Sequence, residues 1–242
     1  MTSKKMYGFV KMPTDWVLQP AVITSFSGSE AVTLLKTYYG LLILKGQLEF
    51  HARRSCINFV ASLDDVAEAG SIGRSAGMSA AKVLADRGLV TRDFITRPTD
   101  RKSMISCYSL PLSPAGTGWG PFPWRQVESG RFLRSIHQRT GVTLAALKLF
   151  LLLVALRENR SGYSRVTYPK ITQRLGIERR HIRAALSLLM ESELLHMDSR
   201  ERREDSNLYF VRGLGGSPQQ AFDLDAFASA PASGTSALAT QP

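Results

Sequence analysis

Apolar positions fall into two stretches with the same order of elements, and the second is the plainer. Thr143 stands at an N-cap place. Residues 144–156 behind it are apolar except for Lys148, which predicts a strongly apolar helix. Residues 165–168 are rich in β-formers and read as a short strand. Pro169 opens the short helix PKITQRL, with proline in the first turn, and Gly176 makes a turn. Residues 177–193 carry Ile182, Ala185, Leu186 and Leu189 at i, i+3, i+4 and i+7, which is one face of a helix. Residues 194–197 read as a strand, the charged loop DSRERREDS follows, and residues 207–211 read as the returning strand.

The first stretch repeats this plan more loosely. Residues 29–44 predict the leading helix and residues 57–60 the short strand. Ser62 caps LDDVAEAG, whose Asp64 and Asp65 favour the positive end of the helix dipole. Ile72 corresponds to Ile177, an offset of 105 positions; at that offset Ala80, Ala81 and Leu84 fall on Ala185, Leu186 and Leu189. Gly88, Leu89 and Val90 likewise fall on Glu193, Leu194 and Leu195. A hairpin follows, TRDFI, the loop TRPTDRKS and MISCYSL. Gly77 takes the place of Ile182, and with Gly73 it weakens this helix by roughly 1 kcal/mol per glycine, so a late start or a kink is expected. A repeat of this kind is harder to reach by chance than one motif.

Punctuation sets the remaining boundaries. Residues 111–124 read PLSPAGTGWGPFPW, too dense in Pro and Gly for long regular structure. The expected organisation is an N-terminal arm over 1–28, a first domain over 29–110, a linker with a short helix over 111–142, a second domain over 143–212 and a disordered tail over 213–242. The arm is expected to be extended and to pack back through Tyr7, Phe9 and Trp16. Trp119 and Trp124 are expected to pin the linker, and Tyr108 and Tyr209 to be core residues on the two returning strands.

The segment VTYPKITQRLGIERRHIRAALSLLMESELLHM resembles a winged helix-turn-helix DNA-binding domain. Ile171 and Leu175 in the positioning helix, Gly176 and Ile177 in the turn, Ile182 and Leu186 in the recognition helix and Leu194 and Leu195 entering the wing carry the resemblance. It covers nearly all of residues 143–212 and speaks for the superfamily rather than one family. The fold it implies is mainly α with small β (α+β), as two winged helix-turn-helix domains in tandem.

Charge adds direction. The chain of 242 residues has 31 Lys and Arg against 20 Asp and Glu, a formal charge of +11. Residues 1–110 hold 14 cations against 9 anions, residues 111–212 hold 17 against 9, and the tail holds only Asp223 and Asp225. Fifteen of the 17 in the middle block are Arg, whose planar fork pairs bidentately with phosphate or guanine. The resemblance implies that the recognition helix enters the major groove with its apolar face turned away. That selects Arg179, Arg180, His181 and Arg183 in the second domain, and Arg74, Ser75, Ser79 and Lys82 in the first. Glu178 is read as a cap. The first wing offers Arg97, Arg101 and Lys102. The second offers Arg200, Arg202 and Arg203, which three acidic neighbours balance. Arg53 and Arg54 precede the first short strand and would touch backbone or nothing.

Other chemistry finds no support. The four histidines lack metal-ligand spacing, and GTGWG lacks the strand and helix of a nucleotide loop. No nucleophile elbow is present. Cys56 and Cys107 make no disulfide framework and read as small core residues. Neither a signal peptide nor a membrane span is readable. The expectation is a cytoplasmic, nucleoid-associated protein that is not an enzyme and takes no cofactor or metal. Its expected partner is double-stranded DNA, read as a transcriptional regulator. A plasmid or phage replication initiator on repeated origin sites is the alternative, and a protein-interaction module a weaker one. The helix at 144–156 would serve as a dimer face as readily as core, which leaves a homodimer open. A stacking platform for single-stranded nucleic acid would need rings along a groove, and the ring spacing does not suggest one.

Overall fold

The computed structural model describes residues 8–97, 100–111, 118–129, 132–136, 140–198 and 207–214. The fold is α+β, with helices around three small antiparallel sheets among the described residues. The first body runs α3 (Gly28–Ala52), β2 (Asn58–Ala61), α4 (Leu63–Gly70), α5 (Arg74–Asp86), β3 (Thr91–Arg97) and β4 (Asp100–Ser109). The second runs α8 (Gly141–Leu156), β6 (Ser164–Val166), α9 (Tyr168–Leu175), α10 (Arg179–Glu191), β7 (Leu195–Asp198) and β8 (Asn207–Val211). Their sheets have the same order, β2-β4-β3 and β6-β8-β7.

The 105-residue offset holds in the backbone from Ser62 and Thr167 to Gly88 and Glu193, and shortens to 101 on the returning strands, where Tyr108 faces Phe59 and Tyr209 faces Ser164. Ser62 caps α4 through a capping box with Asp65, and Thr167 caps α9 by accepting from the Lys170 N–H. Left-handed residues end both helices, Ser71 at φ 49° and Gly176 at φ 63°. Helices α5 and α10 begin and end at matching positions, and left-handed Gly88 and Glu193 follow them. The expected delay at Gly77 does not occur: α5 starts at Arg74. A Cβ at Gly77 would stand 3.3 Å from the Ile72 side chain, so the glycine admits a neighbour, and α5 runs unbroken to Asp86.

The leading helices differ from expectation at their ends. Helix α3 continues to Ala52, well past residue 44. Helix α8 is capped by Thr140, whose hydroxyl accepts from the Thr143 N–H; Thr143 itself is buried inside the helix.

The stretch expected to be a linker is part of the core. It contains β5 (Trp119–Phe122), α6 (Trp124–Ser129) and α7 (Phe132–Ser135). Strand β5 pairs antiparallel with β1 (Val10–Pro13), so the N-terminal arm is not merely extended. After β1 come the short helices α1 (Asp15–Leu18) and α2 (Pro20–Thr24). Pro121 faces Lys11 in this two-stranded ribbon, a place where a missing N–H is tolerated because both strands are edges. Tyr7 lies outside the described residues, as do residues 215–242 of the tail; Leu214 packs against the core, and its carbonyl accepts from Arg157 at 3.1 Å.

One continuous core joins the bodies. The Tyr39 hydroxyl donates to the Leu147 carbonyl at 2.8 Å. Tyr39 and Phe150 both meet Phe122 edge-on, at 5.3 and 6.1 Å. Buried Lys36 donates to the Ile136 carbonyl at 3.1 Å. Helix α8 is buried through residues 145–154 because it lies at this junction. That is why its sequence shows no polar face. Among the described residues no helix is long and apolar enough to cross a membrane.

Candidate nucleic-acid interface

Helix α10 separates its residues cleanly. Ile182, Ala185, Leu186 and Leu189 are buried, while Arg179, Arg180, Arg183 and Ser187 are exposed. The apolar residues hold the helix against α8 and α9. The arginines are left with the ends of their side chains in solvent. Glu178 is the N-cap residue but its side chain makes no cap hydrogen bond; it pairs with Arg180 Nε at 2.6 Å. Both partners are well exposed, so the pair is weak and open to exchange for a phosphate or a base edge. His181 departs from its expected place. It is half-buried, and its ring faces the start of α8, where a Cβ on Gly141 would stand 3.1 Å from Cε1.

The connection into α10 is held from three sides. Gly176 supplies the left-handed turn that an L side chain rarely adopts. A Cβ there would also stand 2.9 Å from the Thr24 methyl, because α2 packs on α9. From below, buried Lys148 donates to the Leu175 carbonyl at 3.3 Å, at the end of α9. A cation suits these orphan carbonyls, but burial holds the amine down, to about 8.

In the first body, Arg74, Ser75, Ser79 and Lys82 share the exposed face of α5, opposite buried Gly77, Ala80, Ala81 and Leu84. Arg74 pairs with Asp64 at 3.3 Å across two exposed side chains. Met78 sits on the same face, 46% exposed. It was missed because a methionine among small apolar residues reads as core.

The hairpin β3–β4 outruns its third strand. Strand β2 pairs only with residues 106–109 of β4, whereas β3 pairs as far as Met104 and, after an irregularity, Asp100. Met104 lies in the overhang and is 58% exposed; Phe94, opposite Ser106 at the end of the three-stranded part, is also 58% exposed, with Arg92 stacked on it at 4.9 Å. Arg97, Arg101 and Lys102 lie on the strands of this arm, and their side chains fall outside the described residues. Arg200, Arg202 and Arg203 also fall outside them. Among the described residues no cluster of His, Cys, Asp or Glu would hold a metal ion.

The exposed cationic faces of α5 and α10 thus occupy equivalent places in two bodies that share one core. No protein-family model matches this chain, and no curated protein matches it either.

Proposed function

We propose that the chain is a sequence-specific double-stranded DNA-binding protein of the tandem winged helix-turn-helix type, acting as a transcriptional regulator in the cytoplasm at the nucleoid. The observation that carries this reading is α10: three arginines within five positions stand on its exposed face while its other face is core. Two or three such forks, on a helix narrow enough for the major groove, match guanine edges and flanking phosphates. Helix α5 presents the smaller set Arg74, Ser75, Ser79 and Lys82 to a second groove segment. The β3–β4 arm reaches toward the backbone beside it.

The test is duplex binding measured on Arg180→Ala and Arg183→Ala. Each is expected to cost about 1–3 kcal/mol of specific binding where the side chain reads a base, with nonspecific binding less affected. Unchanged specific affinity in both variants would remove α10 from the groove.

A further inference from the structure

Away from the arginines at the start of α10 lies a second cationic surface; α6, which carries part of it, reaches the chain beyond the other end of α10, where Gln126 donates to the Glu193 carbonyl at 3.2 Å. The β1–β5 ribbon packs at the C-terminal end of α8, where Gly120 lies against the Val154 carbonyl. The start of α10 meets the other end, His181 against Gly141. Thirteen residues of helix separate these points, about 20 Å at 1.5 Å per residue. On the ribbon, Lys11 Nζ sits 4.8 Å over the Trp119 ring, and Phe9 stacks on Trp119 at 6.4 Å. Next to Phe9, Gly8 runs beside the Arg125 side chain. The Arg125 guanidinium lies 3.8 Å over Phe50 in the last turns of α3. One turn further, Arg53 and Arg54 leave that helix, both exposed.

What distinguishes this strip is how its cations are held. Among the described residues Lys11, Arg125, Arg53 and Arg54 have no carboxylate partner. Aromatic rings fix Lys11 and Arg125 instead. A ring orders a cation without neutralising it and leaves its N–H groups free. Nearby Glu49, near the end of α3, is occupied by its own helix and the loop behind it, accepting from Lys45, from Ser55 Oγ at 3.1 Å and from the Cys56 N–H at 3.0 Å. Asp15, beyond the ribbon, faces the Gly118 backbone. Two ring-held cations, with exposed Arg53 and Arg54 beyond them and no carboxylate partner on any of the four among the described residues, suit a repeating anion.

We propose that this strip is a second nucleic-acid site, which grips a phosphodiester backbone at Lys11, Arg125, Arg53 and Arg54. It goes beyond duplex reading by α10 and does not depend on it. The backbone is either a single strand or duplex that flanks the site held by α5 and α10.

The experiment measures the full chain against oligothymidylate and against a duplex extended beyond the specific site, over a range of salt. The double variant Lys11→Gln/Arg125→Gln is expected to weaken oligothymidylate about tenfold. It is also expected to flatten the slope of log affinity against log salt by about 1.4, two contacts at about 0.7 each. If only the extended duplex shows the loss, the backbone is flanking duplex and the site stands. The conservative pair Lys11→Arg/Arg125→Lys keeps the charge and is expected to keep the slope; equal loss in both pairs would mean a packing role and overturn the proposal. So would an unchanged slope on both probes in the glutamine pair. Arg180→Ala/Arg183→Ala is expected to leave oligothymidylate binding within about twofold. Loss there, with none in the strip variant, overturns the second site and leaves the duplex reading intact.

Discussion

The two bodies reach the same backbone by different packing. From Ser62 and Thr167 to Arg87 and Ser192, caps, turns and helix ends correspond at one offset. In the first body α3 and α4 meet backbone to backbone. A Cβ on Gly40 would stand 2.7 Å from the Gly70 N, so α3 and α4 touch without side chains between them. In the second body the corresponding positions are Ala145 and Leu175, and Ile182 fills the place of Gly77. The phenols of the returning strands differ too. Asn207 donates to the Tyr209 hydroxyl at 3.2 Å, whereas the buried Tyr108 hydroxyl has no hydrogen-bond partner among the described residues. One chain architecture therefore accepts both close backbone approach and side-chain filling. Only the second leaves a strong periodic trace in sequence.

The largest effect is expected where the bodies meet. Phe150→Ala empties the ring cluster with Tyr39, Phe122 and Phe132 and should cost about 3–5 kcal/mol. With a shared core, calorimetry should show one transition for wild type and variant, moved down in temperature. Two separated transitions would make the bodies independent. Gly40→Val must push α4 away from α3 and should cost about 3 kcal/mol in chemical denaturation. Gly73→Ala, with open space around the added methyl, should cost far less. Equal losses would refute the close-approach account.

The third difference is a pH effect of Lys148 in the second body. Lys148 has a folded value of about 8, lowered by burial from the usual 10.5. Between those values the unfolded chain binds more protons, so stability from this group rises with pH, by up to about 3 kcal/mol, and is flat below 8. Burial of Tyr38, Tyr39 and Tyr209 raises their pKa above the usual value, which lowers stability above pH 10. Subtracting the Lys148→Met profile isolates the lysine; a flat difference from pH 7 to 10 would contradict it. The smallest effect is a swap. Glu193 holds φ 54° where Gly88 holds φ 69°. Glu193→Gly should gain about 1 kcal/mol and Gly88→Glu lose about as much, seen as opposite shifts of the melting temperature.

The second body was legible because Ile182, Ala185, Leu186 and Leu189 advertise a helix face and the proline and glycine mark its neighbours. The returning strand at 207–211 lies where its apolar run placed it. The first body was legible mainly through the offset, since glycine and alanine contacts carry no amphipathic signal. The junction was not. Pro and Gly in residues 111–124 argue for a linker, and only pairing with β1, more than a hundred residues earlier, turns part of it into a strand. At the interface, exposure of Arg179, Arg180 and Arg183 followed from periodicity. The inward turn of His181 depends on α8, and the exposure of Met78 and Phe94 depends on where the core ends; neither is local. The cationic strip joins β1, α3 and α6, which no sequence window contains.

The most direct measurement is selection of bound duplexes from a random pool. A rigid pair of DNA-reading bodies should enrich sequences with two preferred elements at one fixed separation, and Arg180→Ala/Arg183→Ala should erase one of them. Directly repeated elements with local melting would turn the reading toward a replication initiator. No enrichment over the starting pool at physiological salt would contradict sequence-specific duplex binding.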